Sequence, residues 1–305
     1  MTLHLDDAAV RRLLRLEPLI ASMRQALIEL SAGRVLQPMR IVMDLPSPRG
    51  LLFVKPVLAG DVLATKLITQ IPGNAALGLP TMLATIVLME SSTGRTLAVM
   101  DATWLTALRT AAVSAVGVDA LTVPGPKVVA MLGSGALART HALALRAVRP
   151  VSEIRVWSRN QQNVARCAQD VNGLSCRDAE EAVRGADIVC TVSNASEPVL
   201  KGAWLKPGAL VAAVGAVRPT WRELDDAAMR NVVVADSRES ARTESGDVIL
   251  SGAKVYAELG EILAGTRPAP APGATVIFKA LGQAVEDAVA ARLVYDAAIS
   301  STARG

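Results

Sequence analysis

The chain has 305 residues, 51% of them apolar and 20% charged, with a formal net charge of +4. That is enough apolar material for two cores, and the surplus Lys and Arg are scattered and never form a tract, so the charge points to small anionic ligands. With two Tyr, two Phe and four Trp there is little for base stacking, and nucleic acid is not expected as a partner.

No apolar run approaches the roughly 18 residues of a membrane span. The acidic start, Met1-Thr2-Leu3-His4-Leu5-Asp6-Asp7, lacks the basic-then-apolar order of a secretion signal. A cytoplasmic protein without membrane association is expected. The first elements read as a short strand over Leu3–Leu5, a helix capped by Asp6, and a second helix from about Glu17 to Ala32. In that second helix Leu19, Ile20, Met23, Leu27 and Leu30 share one face. From Leu36, β-type runs alternate with turns: Met39–Leu45, Leu51–Lys55, Val62–Thr69, Thr81–Met89 and Thr96–Met100. They predict a mostly antiparallel sheet in a domain of its own. A helix over Thr103–Leu121 then leads to Val123-Pro124-Gly125-Pro126, a natural boundary.

Beyond that boundary the apolar strand Val128–Leu132 runs into Gly133-Ser134-Gly135-Ala136-Leu137-Ala138 and an Ala/Leu-rich helix. The spacing is GxGxxA. Gly133 suits the tight turn, Gly135 lets the backbone approach a pyrophosphate, and Ala138 lets helix and strand pack closely. The helix N-terminus offers unpaired N–H groups and the positive end of its dipole to an anion. Strands follow at Glu153–Trp157, near Leu174, and at Asp187–Val192, Leu210–Gly215, Val232–Asp236 and Thr275–Phe278, as in a doubly wound, Rossmann-type α/β sheet. The strand 153–157 ends in Ser158-Arg159-Asn160, where an NAD site would carry an acid to hold the ribose 2′-hydroxyl. No carboxylate stands there, which favours NADPH over NADH; Arg159 on a plain solvated turn is the alternative. Thr191-Val192-Ser193-Asn194 falls at the strand end where the chain order should reverse and the nicotinamide should sit. The last helix, Leu281–Ile299, is expected to return to the first domain and make it discontinuous.

Few residues are left for proton chemistry. His4 and His141 are the only histidines, and Cys167, Cys176 and Cys190 are too far apart for a CxxC pair. No metal site, disulfide framework or His-based triad is expected. Asp225 in Trp221-Arg222-Glu223-Leu224-Asp225-Asp226 faces two readings: an acid at the cofactor crevice, or a helix N-cap before Ala227-Ala228-Met229. Spacing does not decide between them. Arg40, Lys66 and Arg109 interrupt apolar stretches. Together they would suit a substrate carboxylate, although each taken singly can snorkel to solvent or pair with a structural acid.

Val99-Met100-Asp101, Leu105–Ala112, Gly133-Ser134-Gly135, Ala213-Val214-Gly215-Ala216-Val217-Arg218-Pro219, Arg222–Asp226, Glu244–Asp247 and Phe278-Lys279-Ala280-Leu281-Gly282 occur in one order over nearly the full length. As a set they resemble the ornithine cyclodeaminase/mu-crystallin family, and the segments 215–226 and 246–253 are most similar to its mu-crystallin branch. The resemblance implies a Rossmann domain over 123–279 inserted into a substrate-binding and dimerisation domain formed by 1–122 and about 280–305, and a homodimer. By motif position it makes Arg40, Lys66 and Arg109 carboxylate-binding cations, with Asp225 and Lys66 as catalytic residues. The implied cofactor-binding set is Gly133, Ser134, Gly135, Ala136, Leu137, Ala138, Ser158, Arg159, Asn160, Thr191, Val192, Ser193, Val214, Gly215, Lys279 and Gly282. Lys55, where the family commonly has Met, and Met82, where many members have a polar residue or His, depart from the pattern and leave the pocket's shape open.

The activity this implies is NADPH-dependent reduction of a carboxylated cyclic imine such as Δ1-pyrroline-2-carboxylate or Δ1-piperideine-2-carboxylate. Ornithine cyclodeamination, alanine dehydrogenase-type oxidation of an amino acid, and non-catalytic NADPH binding are the alternatives.

Overall fold

The computed structural model describes residues 2–47 and 49–302. The chain divides into two compact units, Met1–Arg109 with Gln283–Gly305, and Thr110–Gly282. The first boundary falls inside a helix rather than at the Pro-Gly-Pro segment of 123–126. The reason lies in that helix's second half: Ser114 hydrogen-bonds His141, and Gly117 lies so close to Phe278 that a Cβ there would sit 2.5 Å from its ring.

The first unit contains β1 (Leu3–Leu5), α1 (Asp7–Leu13), α2 (Leu16–Ser31), β2 (Val35–Leu36), β3 (Ile41–Leu45), β4 (Gly50–Ala59), β5 (Val62–Gln70), β6 (Met82–Glu90), β7 (Thr96–Asp101), the start of α3 (Thr103–Leu121), and the C-terminal helix Ala284–Thr302. Its sheet runs β1-β7-β6-β5-β4-β2, with β3 also on β4. All pairs are antiparallel except β1 with β7.

Strand β4 passes through Pro56 rather than stopping at Lys55. Proline lacks the N–H that a central strand needs. Here β3 pairs with β4 only as far as Val54 and β2 begins at Leu58, so Pro56 falls in the gap between two neighbours. The alternation of β4 and β5 buries Leu51, Phe53, Lys55 and Val57 on one strand and Val62, Ala64, Lys66 and Ile68 on the other. That face packs on the C-terminal helix, so two lysines enter the core as register partners.

The second unit continues with β8 (Lys127–Leu132), α4 (Ala136–Val148), β9 (Val151–Trp157), α5 (Gln161–Asp170), β10 (Leu174–Ser175), α6 (Ala179–Val183), β11 (Ile188–Thr191), β12 (Leu210–Ala213), α7 (Asp226–Met229), β13 (Val232–Ala235), α8 (Arg238–Glu244), α9 (Gly246–Ser251), β14 (Val255–Glu258), α10 (Leu259–Leu263) and β15 (Val276–Lys279). The order is β10-β9-β8-β11-β12-β15-β13-β14, parallel throughout. The chain order reverses between β8 and β11. Strand β14 has no counterpart in the sequence reading, because a short, half-buried edge strand lacks the continuous apolar run that marks β11, β12 and β15.

His141 lies wholly inside this unit. Its Nδ1 is 2.7 Å from the Leu137 carbonyl, which can only accept, so the proton is on Nδ1 and Nε2 accepts from Ser114 at 2.9 Å. Burial lowers its pKa to about 4. Cys190 is equally buried, its thiol pushed up to about 12.

Candidate active site

The glycine turn sits at the switch point. Gly133 has φ +143, and a Cβ there would lie 2.6 Å from the Val192 carbonyl, so only glycine lets the turn pass under the 191–194 loop. Gly135 differs: it is exposed, and a Cβ would meet nothing within 4 Å. It is the N-cap of α4 and gives no side chain to the helix's first N–H groups. Open space beside uncapped amides is what a pyrophosphate needs, so these residues fit a dinucleotide. Ala138 is fully buried against the sheet. Ser134 and Ser158 share a 2.7 Å hydrogen bond that ties the turn to the end of β9. Arg159 is exposed, and Asn160 caps α5 by accepting from the Asn163 amide.

Other members of the expected cofactor set serve the frame of the crevice. The buried Glu223 accepts from Thr191 Oγ1 at 2.8 Å, Ser193 N at 2.8 Å, Ser193 Oγ at 2.5 Å and Gly215 N at 2.8 Å. Burial pushes its carboxyl up, and Asp247 adds to this, while Lys279, Ser193 and Thr191 act the other way. The Val214 amide bonds to the Thr191 carbonyl at 3.1 Å. Lys279 is fully buried and paired with Asp247 Oδ2 at 2.9 Å. Asp247 Oδ1 accepts the amides of Glu223 and Leu224. Gly282 and Leu281 donate their amides to Asp236 at 2.9 and 2.6 Å. These contacts hold the ends of β11, β12, β13 and β15 in place.

Asp225 takes the N-cap role. Its Oδ1 accepts from Ala228 N at 2.8 Å and from Gly202 N at 2.9 Å, fixing the start of α7. Both contacts fall on one carboxylate oxygen, Oδ1.

The first unit gathers the cations. Lys66 Nζ lies 2.5 Å from Asp287 Oδ1, Arg109 Nε 2.8 Å from the same oxygen, Arg109 Nη1 2.6 Å from Glu286 Oε2, and Lys55 Nζ 3.6 Å from Asp287 Oδ2. All five side chains are buried, and Arg40 is half-buried and close enough to act on Lys55. Lys66 and Arg109 therefore do have structural acids, but three buried basic groups share two carboxylates.

The titration of the cluster reflects that shortage. Burial first, then the like charges of Arg109 and Lys55, hold Lys66 well below the usual lysine range against the pull of Asp287. Lys55 is lowered to about 8, by burial and then by Arg40 and Arg109, with Asp287 and Glu286 opposing. Asp287 moves the other way: burial would raise it, but Arg109, Lys66 and Lys55 outweigh burial and hold it below the carboxylate range. Arg109 is raised because Asp287 and Glu286 overcome its own desolvation. Sequence reasoning missed Asp287 and Glu286 as parts of this site, and marked Lys55 only as a departure that leaves the pocket's shape open. The signal for the acids was their place in the apolar stretch that opens the last helix, and for Lys55 its alternation with Leu51, Phe53 and Val57.

A parallel sheet with a glycine turn shaped for a pyrophosphate, in a chain that also buries a cation cluster, defines the class: a Rossmann-type, NAD(P)H-dependent oxidoreductase. The model of the ornithine cyclodeaminase/mu-crystallin family matches residues 2–302, and the chain belongs to that family. It is 48% identical over 269 residues to the ketimine reductase mu-crystallin of Mus musculus, covering 87% of this chain and 86% of that protein. Among solved structures it is similar to the Δ1-pyrroline-2-carboxylate reductase of Thermococcus litoralis in complex with NADH and L-proline, with TM-score 0.93, 31% identity, and 99% and 98% of the two chains covered. An archaeal alanine dehydrogenase dimer with bound NAD aligns with TM-score 0.92 and 28% identity over 99% and 97%. Among the described residues no helix is long and apolar enough to cross a membrane.

Proposed function

We propose that the protein reduces cyclic imines that carry a carboxylate on the C=N carbon, Δ1-pyrroline-2-carboxylate or Δ1-piperideine-2-carboxylate, to the corresponding L-amino acids, with NADPH as reductant. The observation that carries this reading is the excess of basic groups over acids in the buried Lys55–Lys66–Arg109–Asp287–Glu286 cluster, with Arg40 beside it. A substrate carboxylate supplies the missing negative charge. Arg109 and Arg40 offer paired N–H donors to it, and the arriving anion favours the charged form of the depressed lysines. Asp287 and Glu286 hold Arg109 and Lys66 in position so that the carboxylate meets a fixed grip, and positioning of this kind contributes on the order of 7–11 kcal/mol at best.

The residues that would hold the cofactor are Gly133–Ala138 at the pyrophosphate and Ser158 with Arg159 at the adenosine 2′-phosphate, where no carboxylate opposes the charge. When bound, the reduced nicotinamide supplies a hydride. The relatives' reactions on ketimines and pyrroline-2-carboxylate support the same substrate class.

The apolar side chains exposed on β3, β5 and β6, namely Ile41, Val42, Met43, Leu67, Met82 and Leu83, support a homodimer through this sheet. A shift to monomer mass in light scattering for Val42→Glu would accord with it, and an unchanged mass would not.

The experiment is NADPH and NADH oxidation at 340 nm with the two cyclic imines, and with pyruvate plus ammonia. Rapid oxidation with a cyclic imine, faster with NADPH, is expected. Activity confined to pyruvate and ammonia would replace the reading with an alanine dehydrogenase, and silence with every substrate would leave a nucleotide-binding protein.

A further inference from the structure

Reduction of a C=N bond needs a proton at nitrogen as well as a hydride at carbon. Among the acids around the strand ends of the second unit, Asp225 Oδ1 caps α7, Glu223 receives four donors, and Asp247 and Asp236 each receive backbone amides. His141 has both ring nitrogens engaged inside the core. In the first unit, Asp287 and Glu286 bind cations, and Lys66 is held by Asp287 with Thr106 at 3.4 Å. Lys55 Nζ lies 3.6 Å from Asp287 Oδ2, on the opposite carboxylate oxygen from Lys66 and Arg109.

Its position suits a donor. Lys55 and Lys66 are direct register partners on the buried face of β4 and β5, so their ammonium groups enter the cluster side by side. In an α-imino acid the nitrogen is bonded to the carbon that bears the carboxylate. A group beside the cations that grip the carboxylate edge is therefore within reach of the nitrogen lone pair.

Resting on the proposed imine reduction, we infer that Lys55 is the proton donor to the imine nitrogen. A bond forms between the nitrogen lone pair and a proton of Lys55 Nζ, and the Nζ–H bond breaks, leaving an iminium and a neutral amine. Hydride addition at the iminium carbon returns the π pair to nitrogen and oxidises the nicotinamide, and water reprotonates Lys55. The groups that face Lys55 are Lys66 on β5, Asp287 and Glu286 on the C-terminal helix, Arg109 on α3 and Arg40 ahead of β3. Their balance, with burial, leaves the ammonium titrating at about 8, close to the working pH, where a general acid is most effective.

The test uses two substrates on the whole enzyme: Δ1-pyrroline-2-carboxylate, which needs a proton, and its N-methyl iminium analogue, which carries the positive charge permanently and needs none. For Lys55→Met, kcat on the imine should fall on the order of 10²–10⁴-fold, the range for a lost general acid. On the N-methyl iminium its kcat should stay within a few-fold of wild type. Wild-type kcat/KM on the imine should decline more steeply above about pH 8 than kcat/KM on the N-methyl substrate. Equal losses on both substrates would make Lys55 part of the carboxylate grip and overturn the inference, as would undiminished imine reduction. Should Lys55→Met not fold, Lys55→Arg reads the same ratio, since arginine keeps the charge but does not release a proton near neutrality. Failure of wild type on both substrates would instead overturn the imine-reductase reading.

Discussion

The two units each bury a set of ionised side chains, and the sets are built differently. Around Glu223 and Asp247 in the second unit, backbone amides, two hydroxyls and one fully buried lysine supply the acids with donors. In the first unit Asp287 and Glu286 are shared among Lys55, Lys66 and Arg109, with Arg40 alongside, and both lysines are driven below their usual range. Burial alone therefore does not mark a functional site. The internally satisfied set holds strand ends together, and the one short of negative charge is prepared for an anion.

Substitution of one lysine from each set should separate them. Lys279→Met leaves Asp247 buried without its cation and should cost about 3–5 kcal/mol of stability in urea unfolding. Lys66→Met leaves Asp287 still facing Arg109 and Lys55 and should cost much less stability. It should nevertheless lower kcat/KM for the cyclic imine about 10²-fold or more, as for one partner removed from a buried charge pair. Equal stability losses in the two variants would erase the distinction between the sets.

A pH scan sharpens it. Lys55 is depressed when folded, so between about 8 and its ordinary value of 10.5 the unfolded chain binds a proton that the folded chain does not. Stability contributed by this group therefore rises with pH through that window. By pH 10 wild type should gain about 2–3 kcal/mol relative to Lys55→Met, read from paired denaturant curves at pH 7.5 and 10. A flat difference would mean that the cluster does not depress Lys55.

The smallest expected effect belongs to the exposed edge of the second unit. Arg159→Asp should shift the NADPH to NADH preference in kcat/KM toward NADH by about tenfold, which is about 1.4 kcal/mol. An unchanged ratio would return Arg159 to a solvated turn.

Much of this was legible in the sequence because it rests on short-range rules. The GxGxxA spacing and the alternation of strands and helices foreshadow the parallel sheet, and Gly133 has the positive φ that its turn requires. Lys66 and Arg109 stand out as cations in apolar runs. What was not legible depends on long-range pairing. Asp287 meets Lys66 across 221 residues and Arg109 across 178, and its place in the apolar opening of the last helix does not say which cations it meets. Pro56 masked the continuation of β4 because the gap between β2 and β3 is a property of the sheet. Asp225 had two local readings, and the cap geometry needed Gly202, 23 residues away.

The central claim, that the first unit's cluster awaits a carboxylate, is tested most directly by proton uptake on binding. Pyrrole-2-carboxylate is a planar ring carboxylate whose own N–H does not titrate near neutrality. Its binding to the enzyme saturated with NADP+ can be followed by calorimetry at pH 8 in buffers of different ionisation enthalpy. The depressed lysines should take up protons as the anion arrives, so the observed heat should vary with the buffer, and pyrrole-2-carboxamide should show no such variation. Tight binding of the carboxylate with a heat independent of buffer would contradict the claim.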